Sequence, residues 1–196
     1  MVKNDNQILQ AKIITPAIGY LSRNNENNPH QRAISWGISS FGYDVRLAPE
    51  LKAFRLPSLR ETAPINPKDF DPGILVDLDL HTDPEKGQYF ILAPHSYALG
   101  RTVERFKLPK QLVGICLGKS TYARAGLVVN TTPLESEWEG FLTLELANVT
   151  PRDMYVYANE GIAQVLFFEG DAPAVTYNDR QGKYQGQGAE IVLPRV

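Results

Sequence analysis

Gly140-Phe141-Leu142-Thr143-Leu144-Glu145-Leu146-Ala147-Asn148 is the stretch from which the fold reads. Successive side chains of a strand point to opposite faces. Phe141, Thr143, Glu145 and Ala147 therefore share one face, and Leu142, Leu144 and Leu146 the other. Both faces are largely apolar, which predicts an interior strand. Outward from it, short runs rich in β-branched, aromatic and aliphatic residues recur at 41–47, 74–80, 89–92, 97–103, 112–117, 127–131, 154–157, 162–168 and 191–193. Most are separated by Gly, Pro, Asp or Asn. About ten short strands with little helix predict a mainly β fold, a barrel or jelly-roll-like sandwich. No parallel βαβ rhythm and no internal repeat interrupts that pattern.

Two short helices stand out. The first twenty residues hold one, with Asp5 or Asn6 as cap, Ile8, Leu9 and Ile13 on one face, and Pro16 as its stop. Residues Asn24 to Pro29 read as a polar loop. Ser120 to Ala125 reads as a single helical turn, capped by Ser120 and closed by Gly126. A helix start that follows a strand is a natural anion site, because its free N–H groups point outward. The polar segment from Asp179 to Gly188 predicts a flexible end, either one that orders on a ligand or a plainly disordered one.

The chain has 196 residues, 43% hydrophobic and 21% charged, which suits one soluble domain over 1–196. A formal net charge of −2 supplies no field toward nucleic acid or a membrane. A basic site for an anion must therefore be local. Cys116, the only cysteine, lies in the apolar run Leu112 to Leu117 and reads as a buried structural thiol. The first residues are polar, and no apolar run approaches the length of a membrane span, so the cytoplasm is the expected location.

Several chemistries lack their residues. His30, His81 and His95 are widely spaced and there is a single cysteine, so no zinc site of the nucleobase-deaminase kind can be assembled. No Gly-x-Ser-x-Gly elbow occurs, and Gly118-Lys119-Ser120 lacks the upstream glycine of a Walker loop. Glu145 is the most informative carboxylate. On an interior strand it is either a tuned general acid/base, a structural ion pair or a residue at a subunit seam. Arg124 shares a helix face with Ser120, as a partner for that carboxylate or as a solvated arginine. Lys119, Ser120 and Thr121 combine a cation, hydroxyls and backbone donors, a reasonable phosphate cradle. In Phe41-Gly42-Tyr43-Asp44-Val45-Arg46, Gly42 marks a close backbone approach or a bulge. Tyr177, Lys183, Tyr184 and Gln187 near the end are candidates for stacking on a base or binding phosphate, or are surface residues.

These pieces together resemble the dCTP deaminase family of the dUTPase-like superfamily. The likeness runs from Ser35–Leu47 to Gly182–Gly188. Cys116-Leu-Gly-Lys-Ser-Thr-Tyr-Ala-Arg-Ala-Gly126 is similar to the family's nucleotide-binding motif, and Thr143-Leu-Glu-Leu-Ala-Asn148 to the one carrying its glutamate. Joined to Gly161-Ile-Ala-Gln164, the combination is specific. The resemblance implies a distorted β-barrel or jelly-roll-like dUTPase-type fold, with a tail of about 178–196 closing over the site. It implies a homotrimer with sites between subunits. The implied reaction is hydrolytic deamination of dCTP to dUTP and ammonia, without metal at the base, supplying dUTP for dUMP and dTTP synthesis. Glu145 would be the general acid/base, Ser120 would hold the water and Arg124 would orient the carboxylate. The implied nucleotide contacts are Lys119, Ser120, Thr121, Tyr122, Ala123, Arg124, Thr143, Leu144, Glu145, Gln164, Tyr177, Lys183 and Gln187. Magnesium would arrive with the triphosphate, and dTTP would be a feedback inhibitor.

One span departs from the family pattern. Relatives often carry a T-A-x-x-I-D-x-G-like stretch where this chain has Thr131-Thr-Pro-Leu-Glu-Ser-Glu-Trp-Glu-Gly140. Pro133 stands near the usual alanine and the I-D pair is missing, with Glu135 or Glu137 as substitutes for the aspartate. That aspartate serves phosphate-chain cleavage in dUTPases. Its loss counts against a dUTPase, or a bifunctional enzyme releasing dUMP and pyrophosphate, and Arg124 counts toward deamination.

Overall fold

The chain enters through a short helix, α1 (Asp5–Ala11), whose cap is Asn4 rather than Asp5 or Asn6. The Asn4 side chain accepts from the Gln7 backbone N–H, and the Gln7 side chain accepts from the Asn4 backbone N–H. That reciprocal pair satisfies two donors the first turn would otherwise leave free. The helix ends at Lys12, in the left-handed region, well before Pro16. Ile8 and Ile13 are buried in the core and Leu9 packs against it.

The computed structural model describes residues 1–19, 22–25, 28–55 and 63–196, with backbone alone for 22–25 and 28–31. His30 thus has no described side chain. After α1 come β1 (Ile14–Thr15), β2 (Ser22–Asn25), β3 (Asn28–Ile38) and β4 (Tyr43–Phe54). A 3-10 turn (Pro72–Ile74) leads into β5 (Leu75–Asp77), β6 (His81–Asp83), β7 (Gly87–Leu92), β8 (Tyr97–Lys107) and β9 (Leu112–Gly118). Then follow α2 (Ser120–Ala125), β10 (Leu127–Asn130), β11 (Glu139–Asn148), β12 (Met154–Tyr157) and β13 (Gly161–Glu169).

The main sheet runs β10-β11-β8-β4-β13-β9, with β1, β3 and β5 added along it and β2 on β3. Its end strands β9 and β10 lie against each other, so the sheet curls into a nearly closed, barrel-like shape. A second sheet, β12-β7-β6, stands beside it. The fold is mainly β, as expected. β11 is interior, between β10 and β8, and Leu142, Leu144 and Leu146 face the core. Phe141, Thr143, Glu145 and Ala147 are half-buried on the other face.

Local readings are corrected in several places. The expected polar loop at 24–29 is occupied by β2 and β3, with residues 26 and 27 outside the described ones. The run 41–47 begins two residues later and continues to Phe54. The run 191–193 is not a strand, although Ile191 and Val192 are buried. Gly42 has φ +114, and a Cβ there would lie 2.6 Å from the Val165 carbonyl oxygen, so close backbone approach explains it. Ser120 is the first residue of α2 rather than its cap, a place taken by Lys119 without any side-chain capping bond, while Gly126 closes the helix at φ 92. Among the described residues, no helix is long and apolar enough to cross a membrane.

Candidate active site

The Thr143–Glu145 face of β11 opens on a cavity of about 500 Å³. That size suits a small-molecule ligand. One wall is aromatic: Phe54 at the end of β4, Phe70, and Tyr97 at the start of β8. Phe54 meets both other rings edge-on, with centroids 6.2 and 5.8 Å away. The span 132–138 supplies Pro133, Glu135 and Trp138, and the tail supplies Tyr177, Lys183, Tyr184, Gln187 and Val192 to Pro194.

Glu145 is the chemical centre of this cavity. Burial pushes its carboxyl up to about 7, opposed only by a hydrogen bond to its own backbone. Among the described residues it has no ion pair, and neither its Oε2 nor the Thr143 Oγ1 has a hydrogen-bond partner. An unpartnered buried polar atom costs free energy comparable to a lost hydrogen bond. A structural ion pair within the chain is therefore not the reason for this glutamate. Two neighbours sense its charge, Cys116 and Tyr97, the second unmarked by any sequence pattern. It helps raise the Tyr97 phenol, which burial raises most and the Asn130 side chain lowers. It also adds to the burial that pushes the Cys116 thiol up to about 12, against hydrogen bonding from Thr131. A thiol at about 12 is not a nucleophile at neutral pH. Asn130 lies directly opposite Glu145 in the β10–β11 ladder.

The tail is packed on its own chain. The Tyr184 carbonyl accepts from Trp138 Nε1 at 2.8 Å, and Gly186 N–H donates to the Glu139 carbonyl at 2.8 Å. Phe141 N–H donates to the Gln187 carbonyl at 3.1 Å, so the tail lies along the start of β11. Tyr177 accepts from Tyr184 N–H at 3.0 Å, and the Tyr184 hydroxyl accepts from Arg195 N–H at 3.1 Å. Glu135 is paired with Arg180 at 2.9 Å, and the Glu137 backbone is in the left-handed region at φ 62.

The other group of expected site residues sits apart. Ser120, Thr121, Ala123 and Arg124 are exposed on α2 and do not line the cavity. Three anchors hold that helix. Lys119 Nζ is bonded to the carboxylate of Asp44. The Tyr122 hydroxyl accepts from Tyr157 N–H at 2.8 Å. The Gly126 carbonyl accepts from Val149 N–H at 3.1 Å, and a Cβ at Gly126 would meet the Thr150 methyl at 2.2 Å. Tyr122 and Leu144, both expected at the nucleotide, are core side chains at 4% and 0% exposure. Gln164 donates to Ser39 Oγ at 3.1 Å, away from the cavity. Thr143, Glu145, Tyr177, Lys183 and Gln187 are thus gathered in one cavity. Ser120, Thr121, Ala123 and Arg124 present a second, outward surface.

The family model described as dCTP deaminase-like matches residues 23–170. The chain belongs to the dCTP deaminase family. A dCTP deaminase of Laribacter hongkongensis is 51% identical over 166 residues, 84% of this chain and 82% of that relative. One from Burkholderia cenocepacia is 48% identical over 186 residues, 94% of this chain and 92% of that relative. Among solved structures, the 2'-deoxycytidine 5'-triphosphate deaminase of Agrobacterium tumefaciens superposes with TM-score 0.56 at 16% identity. That match covers 86% of this chain and 48% of the other, so this chain spans about half that protein's length, and at such identity the likeness concerns the fold. The match to the dCTP deaminase family model stops at 170, short of the tail that lines the cavity.

Proposed function

We propose that this chain hydrolyses dCTP to dUTP and ammonia, with Glu145 as the group that moves the protons. The observation that carries the reading is a carboxyl at about 7, facing a nucleotide-sized cavity in a chain of this family. A carboxyl that burial alone raises to about 7 holds a proton readily, and a cation brought beside it in the assembled site would favour its ionised form, so that it can serve as base and then as acid. Ionised Glu145 takes a proton from water as its oxygen bonds to C4 of cytosine, and passes that proton to N3. The second water proton moves to the 4-amino nitrogen as the C4–N bond breaks. Water and dCTP go in, and dUTP and ammonia come out, with all atoms accounted for.

Other side chains take the remaining roles. Thr143 Oγ1 and Glu145 Oε2 face the base, and Lys183, Gln187 and Tyr177 the phosphates or sugar. Arg124, Ser120 and Thr121 reach Glu145 from a neighbouring copy, giving sites shared between the subunits of a homotrimer. In support, these residues are exposed, and Leu117, Val128 and Val149 near them are apolar yet 48%, 50% and 57% exposed. Magnesium enters on the triphosphate, whose oxygens suit a hard cation and whose charge it neutralises. Among the described residues, no group of three His, Cys, Asp or Glu side chains could hold a metal of its own. dTTP, sharing the sugar and triphosphate, competes for the same cavity, which inhibition kinetics against dCTP would test. Pyrophosphate release is not favoured, because the I-D pair is missing from 131–140, Glu135 is paired with Arg180 and Glu137 does not line the cavity.

Incubation of the pure protein with dCTP and magnesium, assaying ammonia and pyrophosphate separately, tests the reading. Ammonia without pyrophosphate is expected. Both products would mean a bifunctional enzyme, and neither would sink the proposed activity.

A further inference from the structure

Resting on that reading, we propose that Asp44 is a positioning residue that fixes α2, and with it Ser120 and Arg124, by holding the ammonium of Lys119. The side chains of Asp44 and Lys119 are 6% and 10% exposed, so the contact is nearly dry. Asp44 stands on β4 opposite Gln164 of β13, which is itself opposite Leu117 of β9. Lys119 comes immediately after Gly118, which pairs with Ala163 as β9 ends. Its stem passes over Gly161, where a Cβ would lie 3.3 Å from Lys119 Cε. The ammonium thus points into the barrel wall and away from α2's outward face.

Such an arrangement differs from a phosphate cradle. A buried ion pair adds little net stability over an apolar pair, but losing one partner strands a charge. What the pair does supply here is a fixed starting point for a helix of only six residues that has no side-chain cap. The Tyr122 hydroxyl bond and the Gly126 carbonyl bond from Val149 N–H hold its middle and end, so the Asp44 contact is the third point that sets its orientation. With all three in place, Ser120, Thr121 and Arg124 are presented outward together. Misplacing reacting groups by about 1 Å can cost about a hundredfold in rate.

The test is a double-variant cycle of Asp44→Asn and Lys119→Gln, with Lys119→Arg as the conservative control. Ammonia release from dCTP and backbone hydrogen exchange over 119–126 are both measured. Each single variant is expected to lower kcat about ten- to a hundredfold, with KM changing less than about threefold. The double variant should be no worse than either single one, since both remove the same contact. Exchange over 119–126 should quicken equally in both, and Lys119→Arg should restore rate and protection. Three results would overturn the proposal. One is a raised KM in Lys119→Gln with Asp44→Asn silent, which would make Lys119 a nucleotide contact. Another is additive losses. The third is faster exchange at unchanged kcat, a merely structural pair. If the wild-type protein released no ammonia, the deaminase reading would fall, and exchange would still decide whether Asp44 holds the segment.

Discussion

Replacing Tyr122 by phenylalanine separates a core residue from a nucleotide contact. The side chain is 4% exposed, and burial raises the phenol well above its ordinary range. Its hydroxyl accepts from the Tyr157 backbone N–H at 2.8 Å, which ties α2 to β12. Tyr122→Phe keeps the ring in the core and leaves that part-buried N–H without its side-chain partner. A stranded buried donor costs about 1–3 kcal/mol. For a chain of this size, each kcal/mol lowers Tm by about 2–4 °C, so a drop of about 5 °C is expected. Urea unfolding should show a lower midpoint with an unchanged slope, because the surface exposed on unfolding is the same. Turnover of dCTP per folded molecule should stay within about threefold of wild type, since the ring that remains in the core keeps α2 seated and the Asp44–Lys119 contact still fixes its start. Unchanged stability with a large loss of kcat/KM would refute this reasoning and return Tyr122 to the nucleotide.

Two further outcomes follow from the cavity and its neighbour. Arg124→Gln removes the cation proposed to sit on Glu145 in the assembled site. Since deamination needs that carboxyl ionised first, activity falls as pH drops through its pKa, and the variant's acidic limb should move upward toward about 7. A limb that stays put would detach Arg124 from Glu145. Deleting residues 189–196 removes Val192, Leu193 and Pro194 from the cavity wall, and the Arg195 N–H bond to Tyr184. KM for dCTP should rise several-fold, on the order of the loss of one apolar wall contact, and an unchanged KM measured by steady-state assay would remove 189–196 from the binding site.

Much of the architecture was legible because burial writes itself into alternation. Leu142, Leu144 and Leu146 mark the core face of β11, and Thr143 and Glu145 the cavity face, without any knowledge of their neighbours. Gly126 marks the end of α2 because only a left-handed residue closes a helix there. Other features depended on partners far away in the chain. The direction of Lys119 is set by Asp44, 75 residues earlier, and no local pattern reveals it. Six residues of α2 give too few turns to show that Tyr122 faces inward while Arg124 faces out. β2 and β3 were hidden by their asparagines, since polar composition outweighed pairing that comes from each other and from β4. The run 191–193 has β-forming side chains, yet is buried against the cavity without joining a ladder. Tyr97 and Asn130 were missed as neighbours of Glu145 because cross-strand pairing, not spacing, places them there.

The central claim is that Glu145 moves the protons of deamination, and ammonia release from dCTP by Glu145→Gln tests it most directly. The variant should fold and still bind dCTP, measured by calorimetry, while releasing no ammonia above background. Substantial residual release at wild-type affinity would contradict the account and remove Glu145 from the reaction.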